Sequence, residues 1–190
     1  MSEEPYVYPG TGILRNKRGI MNAEQLNAFE RRMVTQRAAE GSPSGDFDLA
    51  HLQAIHRHLF QDVYDWAGQI RVVELSKGGH QFMFRQYIET GMADVHRRII
   101  NATYFRGTSQ AEFAQSAGKI MGDVNYVHPF REGNGRAQLL YLKQLSIVAG
   151  HPLDLRRIDQ DAWIEASRES HGADYARMAA AIRAALAPSE

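Results

Sequence analysis

Apolar side chains return every three or four positions through segment after segment of this chain, and that spacing confines it to a largely helical fold. Asn22, with Gln25 three residues on, resembles a capping pair ahead of Leu26, Phe29 and Met33, which predicts a helix to about Ala39. Gly41-Ser42-Pro43-Ser44-Gly45 reads as a loop. Asp48 then stands where it caps a second helix with the stripe Leu49, Leu52, Ile55, Leu59 and Val63. Ile88, Met92, Val95 and Ile99 repeat the spacing. Ser109 with Glu112 is a capping box before Phe113, Ala117, Ile120 and Val124. A polar, Gly-rich loop is expected over about Asn125–Gly133. A further helix runs from near Asn134 to Gly150, a plausible stop, and Asp159 and Asp174 are placed to cap two last ones. Residues 70–84 break the pattern. Ile70, Val72 and Val73 favour a strand, Gly78-Gly79 signals a turn, and Gln81-Phe82-Met83-Phe84 alternates weakly, so one short β-hairpin is expected. The expected fold is all-α, a single domain over residues 1–190 with six or seven helices, one hairpin at 70–84 and an irregular arm over 1–21.

Composition narrows the function. Hydrophobic residues at 44% and charged residues at 23% supply a real core and exclude disorder as the main state. Lys+Arg and Asp+Glu are each 22, so the formal charge is zero, and direct nucleic-acid binding through phosphate neutralisation is not expected. The chain has no cysteine, which excludes disulfides, thiolate zinc and Cys nucleophiles. No apolar run reaches the roughly 18–20 residues a membrane span needs, and Met1-Ser2-Glu3-Glu4-Pro5 lacks a signal-peptide core. A cytoplasmic location is expected, or delivery into a host cell by a signal-independent route. No GxxxxGK[ST] loop occurs, so P-loop chemistry is out. His56 and His58, two apart on a helix, face away from each other and make no metal pair, so His56 reads as packed or hydrogen-bonded. Trp66 and Trp163 read as core.

One stretch carries chemistry: His128-Pro129-Phe130-Arg131-Glu132-Gly133-Asn134-Gly135-Arg136. A helix start preceded by glycines offers unpaired N–H groups to an anion. Arg136 adds a permanent bidentate charge, and Asn134 can donate to a phosphate oxygen. Glu132 is a hard oxygen ligand suited to Mg²⁺ shared with a polyphosphate. His128, titrating near neutrality, can accept a proton from an attacking hydroxyl.

This run resembles the Fic (Fic/Doc) family signature His-x-Phe-x-Asp/Glu-Gly-Asn-Gly-Arg-x-x-Arg, matching from His128 to Arg136 without a gap. Tyr8-Pro9-Gly10-Thr11, the segment around His56 to Phe60, Tyr64-Asp65-Trp66-Ala67-Gly68-Gln69-Ile70-Arg71 and Ser76-Lys77-Gly78 look like the bare core of bacterial Fic toxins and translocated Fic effectors. The resemblance implies a helical fold with a β-hairpin flap and transfer of a nucleoside monophosphate, most often AMP from ATP, onto a Tyr, Ser or Thr hydroxyl of a target protein. It implies that His128 is the general base, Phe130 a buried anchor and Glu132 the Mg²⁺ ligand. Gly133, Asn134 and Gly135 would form the anion hole, and Arg136 would hold the phosphates. Lys77, Gly78 and Phe82 would belong to the target-docking flap, which holds its target by strand addition.

The signature's last Arg falls at position 139, where this chain has Leu139; in the family that Arg grips the γ-phosphate. An arginine restored there is expected to raise ATP affinity and AMP transfer if the site is otherwise intact, to leave ATP turnover flat or reduce turnover of the true donor if the site is refitted for a donor without a γ-phosphate, or to destabilise the protein if Leu139 packs in the core. No Ser/Thr-x-x-x-Glu-Gly/Asn inhibitory segment occurs either: Glu40-Gly41 and Glu132-Gly133 are preceded four positions back by Gln36 and His128. A small antitoxin acting in trans is therefore the regulatory partner the resemblance implies. The alternatives to an adenylyltransferase are a degenerate module that binds a nucleotide or protein, and an enzyme using another phosphate-containing donor.

Overall fold

The computed structural model describes residues 4–187; Met1–Glu3 of the expected arm and residues 188–190 lie outside the described residues. Seven α-helices stand among them: α1 (Ala23–Ala39), α2 (Leu49–Phe60), α3 (Ile88–Asn101), α4 (Gln110–Val127), α5 (Asn134–Ala149), α6 (Gln160–Glu169) and α7 (Ala176–Ala185). The caps read from sequence are formed. Asn22 accepts from the Gln25 N–H at 3.0 Å and Asp48 from the His51 N–H at 2.8 Å. The Ser109–Glu112 box is reciprocal, and Asp159 accepts from the Ala162 N–H at 2.8 Å. Asp174 sits one position further out: it accepts from the Ala176 N–H at 3.0 Å while Tyr175 is the residue flanking α7.

α4 is the spine. Phe113, Ala117, Ile120, Met121 and Val124 are buried, and the helix packs against α3, α5, α6 and α7. Two of its glycines let the C-terminal helices close in. A methyl at Gly118 would fall 2.9 Å from the Ala179 backbone nitrogen, and one at Gly122 would fall 2.5 Å from the Tyr175 ring. No side chain fits between, so α7 and the turn before it press directly on the α4 backbone. On the other side α2 packs on α5 and α1.

Three expectations change. The hairpin is shorter than 70–84: β1 (Ser76–Lys77) pairs antiparallel with β2 (His80–Gln81), with Ser76 opposite Gln81 and Lys77 opposite His80. The apolar run before it is not a strand, because its backbone groups bond elsewhere: the Arg71 N–H donates to Pro129 O at 2.8 Å and the Val72 N–H to the Tyr6 hydroxyl at 3.0 Å. The loop expected from Asn125 is still helix; α4 continues to Val127. The arm, finally, is folded back on itself, with Val7 bridging Leu14 and the buried Tyr6 ring set edge-on against Trp66 at 5.4 Å.

Candidate active site

α4 stops at Val127 and α5 starts at Asn134; the six residues that join them carry His128, Phe130 and Glu132. His128 ends α4 in the left-handed region, φ 46°, ψ 62°, its N–H donating to Val124 O at 3.1 Å. Its Nδ1 lies 3.1 Å from Asn125 O. A carbonyl only accepts, so Nδ1 carries the proton and Nε2 keeps the free lone pair. The Phe82 ring stacks on the imidazole, 3.7 Å between centroids. Burial pushes the His128 imidazole down to about 3, and the Arg71 and Lys77 cations act the same way. The ring is therefore neutral at physiological pH.

The rest of the loop is held by its own residues. Phe130 is fully buried and stacks on His56 at 3.9 Å. His56 is tied at both nitrogens, Nε2 to Glu132 O at 2.9 Å and Nδ1 to the Gly68 N–H at 2.8 Å. Burial pushes its imidazole down to about 4, so it is the packed histidine the sequence suggested. The Asn134 side chain is committed to Phe130: Oδ1 accepts from the Phe130 N–H at 3.0 Å and Nδ2 donates to Phe130 O at 2.8 Å. That bond uses one of the two Nδ2 hydrogens, and Asn134 also lines the smaller cavity beside the loop and offers its backbone N–H at the start of α5. The Gly133 N–H already donates to its neighbour's Glu132 Oε1 at 2.8 Å. The first bond of α5 runs from the Ala137 N–H to Gly133 O at 3.2 Å. The N–H groups of Asn134, Gly135 and Arg136 ahead of it have no acceptor within the helix, which leaves them open to an anion.

Arg136 is braced from behind. Nη1 pairs with Glu30 Oε1, Nη2 lies 3.3 Å from Glu132 Oε1, and the guanidinium lies over the Phe60 ring at 4.7 Å. The Tyr64 hydroxyl donates to the other oxygen of Glu30. Glu30 was missed in the sequence. The buried stripe of α1 is Leu26, Glu30 and Val34, whereas Leu26, Phe29 and Met33 had been expected. A carboxylate four residues from two apolar neighbours on one face was the available signal.

Two cavities open beside His128. The smaller, 290 Å³, lies between the flap and the loop and is lined by Lys77, Phe82, His128, Glu132, Gly133 and Gly135 among others. The larger, 630 Å³, shares Lys77, Phe82, His128 and Gly135 with it and is closed by Trp163 and other residues of α6. Trp163 is thus core and cavity wall at once. Of the flap residues, Lys77 and Gly78 are exposed at the hairpin tip, while Phe82 is buried. That corrects its grouping with the target-docking residues: its ring covers the imidazole, so it is not displayed to a partner.

Leu139 lies on α5 one turn beyond Arg136, half-buried and packed against the core. It lines neither of these two cavities. Leu139→Arg is therefore expected to lower the melting temperature, with a cost of about 1–2 kcal/mol from lost apolar burial, and to leave ATP turnover flat. Melting curves and turnover measured together check this; a stable variant with raised ATP turnover would put position 139 at the nucleotide.

A model of the Fic/DOC family matches residues 46–146. The "Probable protein adenylyltransferase y4lH" of Sinorhizobium fredii is 41% identical over 182 residues, which cover 95% of each chain. The "Protein adenylyltransferase VbhT" of Bartonella schoenbuchensis is 37% identical over 185 residues, spanning 96% of this chain and 39% of that protein. The crystal structure of BepC, a VirB-translocated effector of Bartonella tribocorum with bound AMPPNP, has a TM-score of 0.91 at 26% identity and covers 99% of both chains.

Proposed function

From the chain's membership of the Fic/DOC family, we propose that it is a protein adenylyltransferase that moves AMP from ATP onto a Tyr, Ser or Thr hydroxyl of a target protein. One observation carries the assignment of roles: the Nδ1 proton of His128 is committed to Asn125 O, and this leaves a neutral Nε2 on a residue that lines both cavities. In this reading the target hydroxyl gives its proton to that nitrogen while its oxygen attacks the α-phosphorus. The bond to the β-bridging oxygen breaks and pyrophosphate leaves. The N–H groups opening α5 and the Arg136 guanidinium hold the phosphates in line and receive the developing charge. The larger cavity takes the nucleoside against α6, and the exposed backbone of the flap takes the target segment.

Glu132 fits a Mg²⁺ ion. Its carboxylate is half-exposed, and only Oε1 is engaged by the Gly133 N–H and Arg136. Among the described residues no group of three or more His, Cys, Asp or Glu side chains is arranged to hold a metal. One carboxylate shared with phosphate oxygens and water suits Mg²⁺, which neutralises polyphosphate charge when bound. Without an inhibitory Ser/Thr-x-x-x-Glu-Gly/Asn segment in these residues, inhibition would come from a separate small antitoxin. No helix among the described residues is long and apolar enough to cross a membrane. The proposed place of action is the cytoplasm, or a host cell after translocation.

The test is incubation with each α-labelled nucleoside triphosphate and a cell lysate, with and without EDTA. Protein label from ATP is expected, lost with EDTA and strongly reduced in Glu132→Ala at low Mg²⁺. Labelling that EDTA leaves untouched would remove the metal role from Glu132; label from another donor alone would replace ATP.

A further inference from the structure

Arg71 is buried with its whole side chain, and each of its five N–H donors has a separate acceptor. Nε donates to His128 O at 2.8 Å, and Nη2 to Val127 O at 3.4 Å and to Met83 O. Nη1 donates to Val73 O at 2.8 Å and to Glu74 Oε2 at 3.4 Å. Its backbone N–H donates to Pro129 O. The acceptors form two groups: the end of α4 that carries His128, and the two roots of the flap at residues 73–74 and 83. Two further bonds run alongside. The Met83 N–H donates to Tyr126 O at 2.9 Å, and Glu74 Oε2 accepts from the Arg85 N–H at 3.0 Å.

A charge in this place is not explained by stability alone. Burying a guanidinium with one half-exposed carboxylate as its ionic partner is costly, and an apolar side chain of equal volume commonly serves a core as well. The planar fork, however, does what no apolar side chain can: it fixes carbonyls on both elements at once. We infer that Arg71 is a positioning residue that makes the flap and the base-bearing end of α4 one mechanical unit, so that the hairpin which takes the target and the imidazole which takes its proton are held in a single register. It lies outside the lining of the two cavities beside His128 and touches no reacting atom. The inference rests on the reading of His128 as the base.

Arg71→Lys keeps the charge but donates from a single nitrogen, which cannot span from His128 O to Val73 O and Met83 O together. The whole chain carrying this substitution is expected to bind ATP within about twofold of wild type by calorimetry. Its kcat per ATP-binding molecule should fall at least tenfold, and its KM for the target should rise. Deuterium exchange should increase over residues 72–84 and 124–130 together and stay unchanged in α1 and α2. Glu74→Gln, at a half-exposed partner that does not endanger folding, should give the same paired rise in exchange with a several-fold loss of transfer. Transfer at the wild-type rate in both variants, or an exchange increase confined to one of the two segments, would overturn the inference. Failure of the base assignment looks different: His128→Ala would then still transfer AMP.

Discussion

His128→Ala is expected to reduce AMP transfer by roughly 10²–10⁴-fold, the ordinary contribution of a positioned general base, while ATP still binds through the N–H groups opening α5 and Arg136. The check is labelled transfer at saturating ATP alongside calorimetric ATP affinity; transfer at the wild-type rate would remove the residue from the mechanism. The pH dependence follows from the same ring. Its folded value lies near 3, far below the ordinary 6.5, because the site is buried and cations lie nearby. A lowered value means the neutral, proton-accepting form persists as pH falls, so between pH 8 and pH 5 the wild-type profile should show no acid limb from this group. Bound phosphates bring negative charge beside the ring and favour the imidazolium once the proton arrives.

Gly133→Ala is expected to damage both stability and transfer. The residue has φ 82°, a region an L side chain enters only at a cost of about 1–2 kcal/mol. Its added methyl would stand 2.4 Å from the end of the Phe60 ring. That ring is fully buried, lies under the Arg136 guanidinium and stacks on His56 at 4.6 Å, so it has nowhere to retreat. Overpacking of this kind adds about 1–3 kcal/mol. A fall in melting temperature of several degrees should accompany a large loss of label transfer, because displacement of the loop moves the N–H groups opening α5 and Arg136 together. Gly135→Ala is the control for stability: a methyl there meets nothing within 4 Å, and the melting temperature should stay within about a degree of wild type.

What the sequence made legible divides along the range of the interactions. Caps at Asn22, Asp48, Ser109 and Asp159 act over three residues, so each could be read locally, and the helices followed. The loop from His128 to Arg136 was legible because its parts are contiguous. Asn125 and Tyr126 misled because polar residues near a Gly-rich run look like loop; in the fold they are the last turn of α4, with Asn125 Nδ2 reaching Ser167 O at 3.1 Å. Glu30 and Arg71 were the larger omissions. Glu30 meets its partner 106 residues away, and Arg71 meets His128 57 residues away. Ile70-Arg71-Val72-Val73 reads as a strand because periodicity records which residues are apolar, not where a guanidinium among them will find five acceptors. Phe82 could be assigned to the hairpin but not to a side of it, since a two-residue strand leaves too little alternation to fix the register.

The larger cavity is built from two separate stretches of chain. Its reacting side, His128 and Gly135, belongs to the part matched by the family model, which stops at residue 146. Its far wall, Trp163, Ile164, Ser167 and Arg168, comes wholly from α6, beyond that limit, and α6 is kept in place by α7 pressed onto Gly118 and Gly122. Substitutions on α6 can therefore reshape what the cavity admits while every group of the transfer chemistry stays where it is. With the nucleoside seated there as proposed, an exchange of α6 and α7 as a cassette is the unit by which donor preference would be re-engineered without touching the reacting groups.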